Sequence, residues 1–224
     1  MLRSIKSLMN FVNLLRVLLM LSMGGLTIGG CHAATEQFTE GQHYQRINPS
    51  VPTAVGNDKV EVVELFWYGC PHCYSLEPYI EQWLTIKSDA AEFVLIPATL
   101  NPSWTAHART FYALELMGEL DRMHPLVFQA IHDQRRRLRD LRSIAGFVAQ
   151  QGVDQDKFIE AYKSLPVQTK VNRASQLSRA YGLDGVPAVV VNGKYRITAS
   201  MAGGYGQMLE VIDYLVDKES SASK

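Results

Sequence analysis

Cysteine is scarce in this sequence: 224 residues hold only Cys31, Cys70 and Cys73. Three thiols are too few for a disulfide-stapled scaffold, and they leave one close pair and one singleton. A zinc site is excluded on similar grounds. Zinc takes four ligands, usually two such pairs or one pair plus spaced histidines. The chain has no second Cys-x-x-Cys and no His-x3–5-His, so no metal and no cofactor are expected. An excess of one charge is missing too, with 22 Lys and Arg against 22 Asp and Glu. That balance gives no reason to expect nucleic acid as a partner. Past the first thirty residues no stretch is apolar enough to cross a membrane. Internal repeats are absent, and the one biased tract is a Ser/Lys tail at 219–224. The 47% of hydrophobic residues suffices for one large domain or two small ones.

Residues 1–30 have the order of a secretory signal: basic, apolar, small. Arg3 and Lys6 come first, then a run centred on 14–21, then Gly24-Gly25 and Gly29-Gly30. The clean run falls short of the ~20 residues a membrane span needs, and Arg16 interrupts the wider stretch. Without this leader, which carries Arg3, Lys6, Arg16 and no acid, 22 acids face 19 bases. Ile28-Gly29-Gly30-Cys31 has the form of a bacterial lipobox, with an aliphatic residue at −3, small residues at −2 and −1, and Cys31 as lipid anchor. Ordinary cleavage after Ala33 or Ala34 would instead remove Cys31. Either exit leads to an oxidising compartment.

Residues 31–58 read as a polar, turn-rich lead-in or tether, with one short strand near 44–47. The β-branched and aromatic stretch 59–68 predicts a buried central strand. A helix starts at the Cys-x-x-Cys, with Leu76, Tyr79, Ile80, Trp83 and Leu84 on one face and a kink expected near 74–78 from Pro78. Residues 93–97 form the next strand. Helices are expected over 104–117, 121–132, 141–150, 154–164 with Asp154 as N-cap, and 167–181. Residues 188–192 form a strand, Asn192-Gly193 a hairpin turn, and 195–197 the returning strand. Gly203-Gly204 breaks the chain before an amphipathic helix over 205–216. The fold class is α/β. Strand, helix, strand, then hairpin and helix is the thioredoxin plan, so 59–101 and 183–219 form a thioredoxin-like domain. Residues 102–182 are an inserted all-helical domain.

Cys70-Pro71-His72-Cys73 lies between a hydrophobic strand and an amphipathic helix. Cys70 therefore falls at a helix N-terminus, where unpaired N–H groups and the positive dipole end meet it. Pro71 suits the first helical position. These features favour the thiolate, the reactive form. The helix end alone is worth ~0.3–2 kcal/mol, at most about one and a half pKa units. His72, if protonated, adds charge and a hydrogen bond. A stable Cys70 thiolate favours the reduced protein, which makes the disulfide an oxidant. Cys73, one turn further in, is more shielded and is assigned the resolving role. An inert structural disulfide is the competing reading, but so tight a loop has little to constrain.

Glu64-Leu65-Phe66-Trp67-Tyr68-Gly69-Cys70-Pro71-His72-Cys73-Tyr74, with Gly185-Val186-Pro187, resembles the thiol:disulfide interchange protein DsbA family of thioredoxin-like proteins. The resemblance covers residues 59 to about 216. It implies a thioredoxin fold with an inserted helical domain and donation of a disulfide to reduced exported polypeptides. It also implies re-oxidation by a quinone-linked membrane partner of DsbB type, in the bacterial periplasm. Val186-Pro187 matches the family's cis-proline loop, which binds substrate backbone. Glu64 matches the family's buried acid beneath the disulfide, for which no lysine partner is evident. A disulfide isomerase or reductase of the same fold, or a non-catalytic peptide-binding chaperone, are the alternatives. Isomerases of this fold usually carry an N-terminal dimerisation domain, for which 31–58 is too short, so a monomer is expected. Arg135-Arg136-Arg137-Leu138-Arg139, with Asp133, Asp140 and helical patterns around it, reads as a solvated face. Trp104, His107, Met117, Met123 and His124 are read as core or plain surface.

Overall fold

β-Branched and aromatic side chains concentrate in Val60–Phe66, and this segment becomes a strand of the sheet that is buried along its whole length. A computed structural model describes residues 37–222; the leader, Cys31 and residues 32–36 lie outside them. Five strands are described: β1 (Gln45–Arg46), β2 (Val60–Phe66), β3 (Ala91–Pro97), β4 (Ala188–Val191) and β5 (Tyr195–Ile197). Their order across the sheet is β1-β5-β4-β2-β3. β2 pairs parallel with β3, Val60 opposite Ala91, and antiparallel with β4, Glu64 opposite Val189. The centre of the sheet thus delivers the end of β2 beside the start of β4.

The strand ends earlier than residue 68. Trp67 and Tyr68 leave the ladder because the chain turns there, Cys70 N–H donating to the Trp67 carbonyl at 2.9 Å. Helix α1 (Pro71–Ile86) follows and runs unbroken across Pro78. β3 begins two residues before the expected start, since Ala91 and Glu92 have partners on β2. A 3-10 turn (Pro102–Trp104), capped by the Asn101 side chain, leads into α2 (Thr105–Leu116). Then come α3 (Leu120–His132), α4 (Leu141–Gln150), α5 (Gln155–Lys163) and α6 (Leu165–Ala180). Asp140 closes a capping box on α4, and the Asp154 carboxylate accepts from the N–H groups of Asp156 and Lys157 on α5. Ser164 caps α6, which therefore starts two residues before 167. After β5 the short α7 (Ala199–Ala202), absent from the expected elements, ends at Gly203 in the left-handed conformation. Helix α8 (Tyr205–Ala222) runs six residues beyond 216.

Side chains alternate across a strand, and the sheet uses both faces. Val63, Leu65 and Val190 pack with Phe111, Phe128, Phe147 and Phe158 of the helices lying between β3 and β4. Val62, Val189 and Val191 pack with Trp83 of α1 and Met208, Val211 and Leu215 of α8. The Trp83 indole N–H donates to Asp213 at 2.7 Å, tying α1 to α8. The helices between β3 and β4 therefore share a core with one face of the sheet.

The β4–β5 turn has both central residues at positive φ, Asn192 at 52° and Gly193 at 63°, as a two-residue hairpin of this hand needs. A Cβ on Gly193 would overlap the Val51 carbonyl oxygen. Strain at such a site costs on the order of 1–3 kcal/mol. Gly193→Ala should therefore lower the urea midpoint by an amount equivalent to about 2 kcal/mol, without changing the slope. A midpoint equal to wild type would contradict this reading of the turn.

Candidate active site

Cys70 is the N-cap of α1, with extended backbone (φ −91°, ψ 117°), and Pro71 takes the first helical position. No side chain caps the helix, so its first N–H groups face the Cys70 sulfur without a competing acceptor. The turn before it is tight. A Cβ on Gly69 would overlap the Trp67 indole. Helix α3 braces this turn from the far side. The His132 imidazole donates to the Tyr68 carbonyl at 2.8 Å. The Tyr68 hydroxyl meets His124 Nδ1 at 2.8 Å. Tyr74, one residue past Cys73, donates to Asp133 at 2.6 Å and stacks on His132 with centroids 5.0 Å apart.

Both thiols are free, and they differ in environment. Cys70 is 7% exposed and Cys73 fully buried. The Cys70 pKa is lowered to about 6. The largest cause is the hydrogen bond from the Cys73 thiol. Burial partly opposes it, and the N–H groups of Cys73 and His72 and the His72 charge add to it. Burial pushes the Cys73 thiol far above the ordinary range, with its hydrogen bond to Cys70 and the charges of Cys70 and Glu64 acting in the same direction. Near neutral pH the pair is one thiolate and one thiol, and about nine-tenths of Cys70 is ionised at pH 7. In its thiol form Cys70 donates to the Val186 carbonyl at 3.4 Å.

The Val186–Pro187 peptide bond is cis, and this loop enters β4 beside the end of β2. A cavity of about 350 Å³ opens there, lined by His72, Val186, Pro187, Thr198 and Tyr205 among others. The Tyr205 hydroxyl donates to the His72 carbonyl at 3.1 Å. Glu64 is wholly buried in β2, and neither carboxylate oxygen has a hydrogen-bond partner. Burial first, and then the charge of Glu77, hold its carboxyl well above the usual range.

The site thus gathers Cys70, Pro71, His72, Cys73, Val186 and Pro187 on two segments that meet. Cys31 lies outside the described residues. Tyr68, Glu77, His124 and Tyr205 were not singled out for the site. Tyr205 follows Gly203-Gly204 and has no spacing relation to Cys70 that a linear reading detects. His124 and Met123 are buried as expected of core residues, and Trp104 stacks on Trp67 at 4.6 Å. Among the described residues no group of His, Cys, Asp and Glu is placed to hold a metal ion.

A family model described as DSBA-like thioredoxin domain matches residues 61–210. The chain is 42% identical over 191 residues to the thiol:disulfide interchange protein DsbA of Pseudomonas syringae pv. tomato, covering 85% of this chain and 89% of that protein. It is 40% identical over 205 residues to the protein of the same name from Pseudomonas aeruginosa, covering 92% and 96%. The crystal structure of Pseudomonas aeruginosa DsbA superposes with a TM-score of 0.80 at 40% identity, over 84% of this chain and 97% of that one. The oxidoreductase DsbA from Xylella fastidiosa superposes at 0.74 and 30% identity, over 80% and 96%.

The order of causes at Cys70 makes a prediction. Thiolate absorbance should titrate with a midpoint near 6. Cys73→Ala should raise that midpoint more than His72→Ser does. A larger shift in His72→Ser would show that charge outweighs the Cys73 hydrogen bond.

Proposed function

We propose, from the premise that the chain belongs to the DSBA-like thioredoxin family, that Cys70 carries the disulfide to the client and Cys73 resolves it. The chain is a thiol–disulfide oxidoreductase of thioredoxin-like fold. One observation carries the assignment: Cys70 stands at the start of α1 and is 7% exposed, whereas Cys73, one turn further in, is fully buried.

In the oxidised state the Cys70–Cys73 disulfide is the electron acceptor. A client thiolate attacks the Cys70 sulfur, which retains access at the mouth of the site. The S–S bond breaks, Cys73 leaves with the electron pair, and burial drives it to take up a proton. We assign the supply of that proton to Glu64, whose carboxyl burial holds well above its usual range. A second client thiolate then attacks the client sulfur of the mixed disulfide, and Cys70 leaves as a thiolate. A low leaving-group pKa speeds that departure. In sum, two client thiols lose two electrons and two protons; the protein takes both electrons and one proton, as the Cys70 thiolate and the Cys73 thiol, and the other proton goes to solvent.

The same charge sets the direction. Lowering a thiol pKa from 9 to about 6 favours the reduced form about tenfold at pH 7, or about 30 mV in potential. That sign supports an oxidase over a reductase. Val186 and Pro187 are assigned to the client backbone, in the cavity they share with His72 and Tyr205. Pro71 presents the helix start and His72 supplies charge.

The clients are reduced exported polypeptides, and a quinone-linked membrane partner of DsbB type re-oxidises the dithiol. The site of action is the bacterial periplasm, reached through the leader at 1–30. Ile28-Gly29-Gly30-Cys31 supports lipidation of Cys31, with residues 31–58 as tether from the membrane. A three-acyl anchor would hold firmly, since each buried CH2 contributes ~0.8 kcal/mol and two chains already suffice. Residues 59–101 and 183–219 act as the redox domain of a monomer, and 102–182 as its helical insertion.

Cys70→Ser should abolish oxidation of a reduced test protein, and Cys73→Ala should accumulate mixed disulfides through Cys70 on non-reducing gels. Retained oxidation in Cys70→Ser would overturn the assignment.

A further inference from the structure

The segment between α3 and α4 is solvated, as its charges suggested, but it has no regular secondary structure over residues 135–139, and Arg135 sits at φ 55°. Their side chains alternate. Leu138 is buried, and its carbonyl accepts from the His107 imidazole at 2.5 Å. Arg136 lies over the Phe147 ring at 4.9 Å and donates to Gln150 at 2.7 Å. Arg135, Arg137 and Arg139 are exposed, and among the described residues none has a carboxylate partner. The acids next to them are committed elsewhere, Asp133 to Tyr74 and Asp140 to the N-terminus of α4. The ridge is pinned at Arg136 and Leu138, which fixes the backbone that carries the three exposed guanidiniums.

These arginines wall a cavity of about 640 Å³. Its other walls include Trp67 and Gly69, the residues that turn the chain into Cys70, and no carboxylate lines it. It borders the redox pair from the Trp67–Gly69 side, whereas the Pro187 cavity borders it from the His72 side. Trp67 presents a flat floor, stacked on Trp104 with an interplanar angle of 7°. A cluster this cationic, on a chain whose bases do not outnumber its acids, calls for an anion. Planar guanidiniums suit carboxylates. An open ridge suits a chain lying along it better than an enclosed small molecule.

We propose that the cavity walled by Arg135, Arg136, Arg137 and Arg139 beside Trp67 and Gly69 is a subsite for an acidic stretch of the client polypeptide whose cysteine reacts at Cys70. It rests on the oxidase reading and adds a selectivity to it: clients with Asp or Glu near the reacting cysteine engage preferentially.

The test uses two peptides in which the cysteine is replaced by serine, one flanked by Glu and the other by Gln at the same positions. Each is titrated into the full chain and followed by backbone amide shifts. The Glu peptide should shift residues 67–69 and 135–139 and bind about fivefold more tightly than the Gln peptide. That gap should close at about 0.5 M salt and in the Arg137→Gln/Arg139→Gln double variant. Equal affinities overturn the proposal, as does a gap that survives in the double variant. Shifts at these residues with phosphatidylglycerol vesicles but not with the Glu peptide also overturn it, by assigning the ridge to a membrane surface. Oxidation of dithiothreitol by the wild-type disulfide reports separately on the redox reading, because that neutral dithiol has no use for the arginines.

Discussion

A negative charge on the Cys70 sulfur has to be held by something other than water, and most of this structure is arranged around that requirement. The donors are local: the Cys73 thiol first, then the N–H groups at the start of α1 and the His72 charge. None works unless α1 begins at Cys70 and Cys73 is one turn inside. Burial is what makes the two thiols unequal. It opposes ionisation at both, but at Cys70 the donors outweigh it, and at Cys73 nothing does. The pair therefore stores one charge at the mouth and one proton inside.

The sheet serves this arrangement by bringing two chain segments to one point. β2 and β4 are antiparallel neighbours, so the end of β2 that turns into Cys70 lies beside the start of β4, preceded by Val186-Pro187. The helices between β3 and β4 complete the mouth. From α3, His124 and His132 hold the Tyr68 hydroxyl and carbonyl. The arginine ridge that follows α3 walls the adjoining cavity. These helices therefore contribute to the core, to the bracing of the active-site turn and to the walls of the cavity beside it.

Signals with a short range were legible in the sequence. Cys70 at a helix start, Pro71 at its first position, Asp154 as a cap and Asn192-Gly193 as a turn each depend on neighbours within about four residues, and each stands where it was read. Boundaries set by partners were less legible. β3 starts at Ala91 because β2 reaches back to Val60, and Trp67 and Tyr68 leave the strand because the chain turns into Cys70. The rest of the site depended on contacts across the chain. Tyr205 reaches a carbonyl 133 residues away, and Tyr68 meets His124 across 56. The arginine run was legible as a solvated face, but the burial of Leu138 and its carbonyl's contact with His107, 31 residues away, were not.

The most direct test of the central claim is the pH dependence of the stability difference between the reduced and oxidised protein. A thiol whose pKa falls on folding stabilises the reduced form fully above the unfolded value near 9, and loses that contribution as pH falls through about 6. Cys73 stays protonated in the fold, so its ionisation in the unfolded chain near pH 9 opposes the Cys70 contribution there. Urea unfolding of both redox forms should show the reduced protein gaining on the oxidised one by about 1 kcal/mol per pH unit between 6 and 8, with little change below 5 and a levelling off toward 9. A difference that stays flat from pH 6 to 9 would contradict the account, because it would mean that folding does not stabilise the Cys70 thiolate.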